Sequence, residues 1–230
     1  MAMMGMTGGS AMDNAADTRD TRAQALVVVV DDDEVVRDSL TSLFRSVDMN
    51  VRTFMSADQL LAFPLPDVPT CIILDVRLKG TSGLDLQTQL KAQGKSAGII
   101  FITGFGDVPM TVAAMKAGAV DFITKPFRDQ QLLDAVNAAL EVDGSRRLGQ
   151  SLSHSLKDRF EAMSERQKEV MQLAVGGLLN KQIADQLNIS DATVKIHRRE
   201  AMRKMQAQTF ADLVIMGREL GLAARRGNGS

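Results

Sequence analysis

A chain of 230 residues with 45% hydrophobic and 24% charged residues has globular composition and enough length for two modest domains. Its longest apolar run, Ala25 to Val30, is far short of the roughly 20 residues a bilayer-spanning helix needs, and the N-terminus lacks the basic start and apolar core of a secretory signal, so the expectation is a cytoplasmic protein with no membrane partner. The net charge of −1 conceals a split: residues 23–143 carry −6, residues 144–160 carry +3 and residues 161–230 carry +3, the pattern of an acidic regulated module joined to a nucleic-acid binder.

Residues 1–22 mix Met, Gly, Ala and Asp without period and are expected to be a disordered leader. From Ala25 the signals alternate: ALVVVV as a strand, Glu34 to Arg45 as a helix, VRTF at 51–54 as a strand, and a short helix capped by Ser56 and running to Phe63. CIILD at 71–75 follows as a strand, then a helix from Gly83 to Lys91, the strand GIIFIT at 98–103, a helix from Val108 to Ala117, the strand VDFIT at 120–124 and a helix from Asp129 to Val142. Five strand and helix pairs in about 120 residues imply an α/β, doubly wound, five-stranded parallel sheet covered by helices on both faces, with the flavodoxin-like order 2-1-3-4-5. The single cysteine, Cys71, lies in the third strand and reads as a small core hydrophobe, which excludes a disulfide framework.

In open parallel sheets chemistry collects beyond the carboxyl ends of the strands. Strand 1 ends in Asp31, Asp32 and Asp33, strand 3 in Asp75 and strand 4 in Thr103, and strand 5 is followed by Lys125 and Pro126. Adjacent strand ends lie about 5 Å apart. Asp31, Asp32 and Asp75 brought together without a counter-ion would raise at least one carboxyl pKa, and a divalent cation resolves the conflict. Mg²⁺ prefers such hard oxygen ligands, and it would hold an incoming phosphoryl group in line with an Asp75 oxygen while Lys125 adds positive charge to the same group. Taken singly, each feature has a plainer reading: Asp31 to Asp33 as a solvated helix N-terminus, Thr103 as a turn hydroxyl and Lys125 as a surface lysine. All four at the same ends of one sheet favour a phosphoryl-acceptor site.

VVDDDE, ILDVRLKGTSG and FITGFGDVPMTVAAMKAGAVDFITKPF, with their spacing, resemble the receiver domain of two-component response regulators over residues 24–143. The resemblance implies that Asp75 accepts phosphate from a sensor histidine kinase and that Asp32 and Asp75 ligate Mg²⁺ with the backbone carbonyl of Arg77. It further implies that Asp31 acts through metal-bound water, that Thr103 and Lys125 serve the phosphate, that Phe122 is the aromatic switch and that the Lys125–Pro126 bond is cis. Where the family commonly has Pro followed by an acidic residue or Gly, this chain has Lys79 and Gly80, which bears on the rigidity of the loop and the phosphoryl lifetime. A phosphoryl group on Asp75 would attract the Thr103 hydroxyl, let Phe122 turn inward and reshape the face from Val108 to Phe127, where dimerisation is expected.

Residues 144–160 place Leu148, Leu152, Leu156 and Phe160 four apart, the pattern of a helical linker with one apolar stripe; His154 within it reads as a solvated surface residue. Beyond it, Ser164 caps ERQKEVMQLAVGG, a short helix spans Lys181 to Leu187, Ser190 caps DATVKIHRREAMRKM, and a fourth helix runs from Phe210 to Leu220, which is helix-turn-helix grammar. On the third helix Ala192, Ile196 and Arg199 share a face, with Lys195 and Arg198 beside it. SERQKEVMQLAVGGLLNKQIADQLNIS and TVKIHRREAMRKM resemble the LuxR-type output domain of the NarL/FixJ subfamily over residues 161–222. The resemblance implies double-stranded DNA as a partner, with Lys195, Ile196 and Arg199 facing base edges and Thr193, His197, Arg203, Lys204 and Lys181 facing phosphates.

The expected organisation is a leader at 1–22, a receiver at 23–143, a linker at 144–160, a small four-helix, all-α DNA-binding domain at 161–224 and a disordered tail at 225–230. The expected function is that of a phosphorylation-dependent transcriptional response regulator, not an enzyme, that dimerises on phosphorylation, with RNA polymerase a further expected partner. An aspartyl-phosphate phosphatase would want a second acid two residues after the nucleophile, where this chain has Arg77. A phosphorylation-independent interaction protein would not need every site residue to be present.

Overall fold

The computed structural model describes residues 24–104 and 108–222, which divide into two compact units between Arg147 and Leu148. In the first unit, β1 (Leu26–Val30), β2 (Asn50–Phe54), β3 (Thr70–Asp75), β6 (Gly98–Thr103) and β7 (Asp121–Thr124) form one parallel sheet in the order β2-β1-β3-β6-β7. This is the expected 2-1-3-4-5 winding. Helices α1 (Glu34–Ser46), α2 (Ala57–Ala62), α3 (Gly83–Ala92), α4 (Val108–Lys116) and α5 (Asp129–Glu161) connect and follow the strands.

The strands are continuous β-branched and aliphatic runs because both their faces are covered. Alternate residues serve opposite layers: Val27, Val29, Ile73, Ile100 and Ile102 pack with Leu40 and Phe44 of α1 and Leu132 and Val136 of α5. Val28, Val30, Ile72, Leu74 and Phe101 pack with Leu60 of α2, Leu86 and Leu90 of α3 and Ala114 of α4. Each such aliphatic side chain contributes roughly 1.5–3 kcal/mol through burial. Cys71 is fully buried in the first of these layers, and burial pushes its thiol well above the ordinary value, so it is an unreactive core residue.

Two local features differ from the expectation. The chain after β3 does not pass directly into a helix: β4 (Arg77–Leu78) and β5 (Thr81–Ser82) pair antiparallel around Lys79 and Gly80. Strands of two residues are too short to carry a periodic signal. The second difference is α5, which was expected to stop at Val142 and instead runs unbroken to Glu161. Buried Asp143 explains its passage: one carboxylate oxygen accepts from the Thr70 amide (3.0 Å) and Arg147 Nε (2.6 Å), and the other accepts from Arg146. Arg147 also reaches Asp67 (2.8 Å) and the Ser96 carbonyl (3.3 Å). These contacts hold the next turn of the helix, through Arg147, against the sheet and offset the roughly 1 kcal/mol that Gly144 costs a helix interior.

In the second unit the end of α5 packs with α6 (Glu165–Val175), α7 (Asn180–Leu187), α8 (Asp191–Met205) and α9 (Phe210–Glu219). Ser164 and Gln167 form the capping box of α6, and Ser190 caps α8 through the Thr193 amide (3.1 Å). Leu156 and Phe160 join the core of Met163, Met171, Ala201, Met205 and Leu213, so the expected linker stripe is half consumed, while Leu148 and Leu152 face solvent. His154 is exposed beside Asp158 (3.7 Å). Arg198 crosses from α8 to α7 and α9, donating to the Asn180 side chain and lying 4.4 Å over the Phe210 ring.

Two stability outcomes follow from this packing. A Cβ at Gly98 would sit 2.8 Å from both the carbonyl carbon and Cβ of Ala139, so Gly98→Ala should lower unfolding free energy by about 1–3 kcal/mol in urea titrations, whereas Gly149→Ala, with open space on α5, should be neutral or stabilising. Arg198→Ala removes both a hydrogen bond and a cation–π contact and should destabilise the second unit by about 1–2 kcal/mol, while Arg199→Ala should change its melting little.

Candidate functional site

The site grows out of the sheet register. Val30 of β1 pairs with Leu74 of β3, so Asp31 and Asp75 leave neighbouring strands side by side. Asp31 is fully buried: its Oδ1 accepts from the Asp33 amide (2.9 Å) and its Oδ2 from Lys125 Nζ (2.8 Å). Asp75, slightly exposed, accepts the Arg77 amide on Oδ1 (3.0 Å) and Lys125 on Oδ2 (3.2 Å). Asp32 is a little more open and pairs with Lys79 (3.2 Å). Asp33 turns away to cap α1 through the Val35 amide (2.9 Å), so the acidic triplet divides between site and helix cap. Asp31 and Asp32 thus stay beside Asp75, while Asp33 alone serves as the helix N-terminal residue that the triplet also suggested.

Lys125 is placed by β7, whose register pairs Thr124 with Thr103, and its amide donates to the Thr103 carbonyl (2.7 Å). The Lys125–Pro126 peptide is cis. Thr103, the last residue of β6, is buried at the same sheet edge. Phe122 is partly buried, with its ring centroid 6.3 Å from that of Phe101.

Burial pushes the Asp31 carboxyl above its ordinary range, opposed by Lys125 and the Asp33 amide. Burial would lower the Lys125 ammonium, but its hydrogen bond and attraction to Asp31, with the charge of Asp75 added, hold it above the usual lysine value. One carboxylate oxygen from each of Asp31, Asp32 and Asp75 lies within 4.8 Å of the others. This donor set is all hard oxygen, and it fits a small divalent cation such as Mg²⁺ better than a soft, thiolate-seeking metal.

On α8, Lys195, Ile196 and Arg199 are exposed along one side of the helix. Lys181 is exposed on α7, and His197 is half-buried. Several of the candidates have partners within the unit: Lys195 with Asp191 (2.8 Å), Thr193 with Ser190 (2.8 Å), Arg203 with Glu200 (2.7 Å) and Lys204 with the Ala162 carbonyl (2.8 Å). Arg198, expected beside this face, is diverted to Asn180 and Phe210. Sequence reasoning also missed Arg37, whose Nη1 donates to the Asp31 carbonyl (2.8 Å), a contact six residues distant that helical spacing from the Asp33 cap could have suggested. It noted Lys79 only as a departure from the family pattern.

The chain resembles known proteins over both units. Residues 27–137 match the response regulator receiver domain, and residues 161–217 match the bacterial regulatory proteins of the luxR family. Nodulation protein W of Bradyrhizobium diazoefficiens is 53% identical over 201 residues, covering 87% of this chain and 88% of that protein. The transcriptional regulatory protein FixJ of Azorhizobium caulinodans is 40% identical, covering 86% and 93%. Among solved structures, the response regulator StyR superposes with a TM-score of 0.77 at 42% identity, over 85% of this chain and 99% of that one. No helix among the described residues is long and apolar enough to cross a membrane. With a receiver fold carrying this acidic pocket and a LuxR-type helix-turn-helix after it, the chain belongs to the NarL/FixJ-type two-component response regulators, which regulate transcription.

Proposed function

We propose that Asp75 accepts a phosphoryl group from a sensor histidine kinase and that the phosphorylated chain dimerises and binds an operator. The observation that carries this is Lys125 Nζ lying 2.8 Å from Asp31 and 3.2 Å from Asp75 at the edge of the acidic pocket. In the transfer an Asp75 carboxylate oxygen forms the new O–P bond as the donor's P–N bond breaks, and the electron pair returns to the donor imidazole. Asp32, Asp75 and the Arg77 carbonyl, with Asp31 acting through water, would hold Mg²⁺. Bound there, the cation supplies positive charge to the transferring phosphoryl group.

The protein's own residues do the rest. The Arg77 amide and Lys125 fix the Asp75 carboxylate, so little reorganisation is needed at transfer. Lys125 is positioned to follow the new phosphoryl oxygens, and the Thr103 hydroxyl is drawn to them. Phe122 then turns inward and biases the face from Val108 to Phe127, where Val108, Val112 and Met115 are exposed apolar side chains suited to a second copy. Such couplings are typically about 1–3 kcal/mol, enough to shift a population. Two joined copies would present two α8 helices to a twofold DNA site, with Lys195, Ile196 and Arg199 at base edges and Thr193, His197, Arg203, Lys204 and Lys181 at phosphates. On this reading the chain is a stoichiometric acceptor, not an enzyme, acts in the cytoplasm and works on transcription through RNA polymerase. The receiver spans 23–143, the linker 144–160 and the DNA-binding domain 161–224, with leader 1–22 and tail 225–230 lying outside the described residues.

Asp75→Asn should abolish incorporation of label from a small phosphodonor in Mg²⁺, and full labelling of that variant would remove the assignment. In operator-binding titrations, Arg199→Ala should cost about 1–3 kcal/mol and relax specificity, whereas Lys181→Ala should weaken all sequences alike and reduce the salt slope by about one. A uniform loss with Arg199→Ala would contradict the reading face.

A further inference from the structure

We propose that Lys79 is a positioning residue of the acidic pocket: it occupies Asp32 until a divalent cation displaces it, and so sets how much cation the site requires. This rests on the reading of Asp31, Asp32 and Asp75 as a divalent-cation site. Lys79 stands at the tip of the β4–β5 hairpin, where Arg77 and Leu78 pair with Ser82 and Thr81. Gly80 takes φ +85°, the left-handed value that the second central residue of a type II turn adopts, and Lys79 is the residue before it in the two-residue loop. From there Nζ reaches Asp32 Oδ2 at 3.2 Å.

The two lysines of the pocket divide the carboxylates between them, and they differ in kind. Lys125 is 25% exposed, bridges two acids and is fixed by the strand that precedes it. Lys79 is 86% exposed, touches one acid and sits on a four-carbon stem that can swing into water. A cation that takes Asp32 as a ligand competes with Lys79 for the same oxygen; it does not have to dislodge Lys125 from Asp31. The competition is weak because an exposed pair is worth little and is screened by salt. It therefore tunes the affinity without closing the site, and it makes the affinity depend on ionic strength. It also keeps Asp32 compensated when no cation is bound, easing the repulsion from Asp31 and Asp75.

The experiment is a calorimetric Mg²⁺ titration of the full chain, with Lys79→Met to remove the charge but keep the stem, and Lys79→Arg to restore it. At an ionic strength of about 20 mM, Lys79→Met should bind Mg²⁺ about two- to fivefold more tightly than the unaltered chain, and Lys79→Arg should follow the unaltered chain. At about 0.5 M salt, where the screening length is about 4 Å, the difference should shrink toward unity. Equal affinities at low salt, a gap that persists undiminished at high salt, or Lys79→Arg behaving like Lys79→Met would each overturn the role of Lys79. Asp32→Asn separates the two levels: Mg²⁺ binding that survives it unchanged, or no Mg²⁺ binding by the unaltered chain, removes the cation-site reading and the role of Lys79 with it.

Discussion

The structure turns on a conflict of like charges and the lysine that contains it. A parallel register that pairs Val30 with Leu74 leaves two carboxylates at adjacent strand ends, and a third follows at once on the loop. Left alone, such a group would take up a proton or push the strand ends apart. Lys125 bridges Asp31 and Asp75, and their charges hold its ammonium above the usual lysine range, so the wholly buried acid has a cation set against it. The sheet supplies the rigidity that makes this arrangement durable: Val28, Val29, Val30, Ile73 and Leu74 behind the acids have essentially no exposure and cannot relax without opening both core layers.

Much of this was legible in the sequence because the physics is local or periodic. Apolar runs of five or six residues flanked by helix caps announce strands, and acids that end those strands announce the site. Asp32, Asp75 and Lys125 were identifiable for that reason. What escaped depends on contacts distant in sequence or on very short elements. The β4–β5 hairpin has two residues per strand and no pattern to detect. Helix α5 passes Val142 because Asp143 meets the Thr70 amide 73 residues away, a pairing no helical propensity encodes. Arg198 has the right spacing for a reading face, yet the ring of Phe210 and the amide of Asn180 draw it aside.

The second unit repeats the lesson at its surface. Helices α6 and α8 begin at the Ser164 and Ser190 caps that the sequence shows plainly, and α9 at Thr209, whereas the roles of the unit's cations depend on which neighbours they find. Arg203 holds the Glu200 carboxyl below the ordinary range and is itself raised, an exposed pair that phosphate would have to outbid. Arg199 and Ile196 instead stand exposed on α8 beside Lys195, and these three are the residues proposed to face base edges. The charge split between the acidic first part of the chain and its basic remainder thus corresponds to two tasks, one that handles a phosphoryl group and one that meets a polyanion.

The central claim is that the phosphoryl group resides on the carboxylate of Asp75. It is tested most directly by reacting the chain with a small phosphodonor in Mg²⁺, trapping the acyl phosphate by borohydride reduction, and locating the reduced residue by peptide mass mapping. Conversion of Asp75 alone to the corresponding alcohol, dependent on the cation, is the predicted result. Reduction at Asp31 or Asp32, or trapping that proceeds equally well without a divalent cation, would contradict the account.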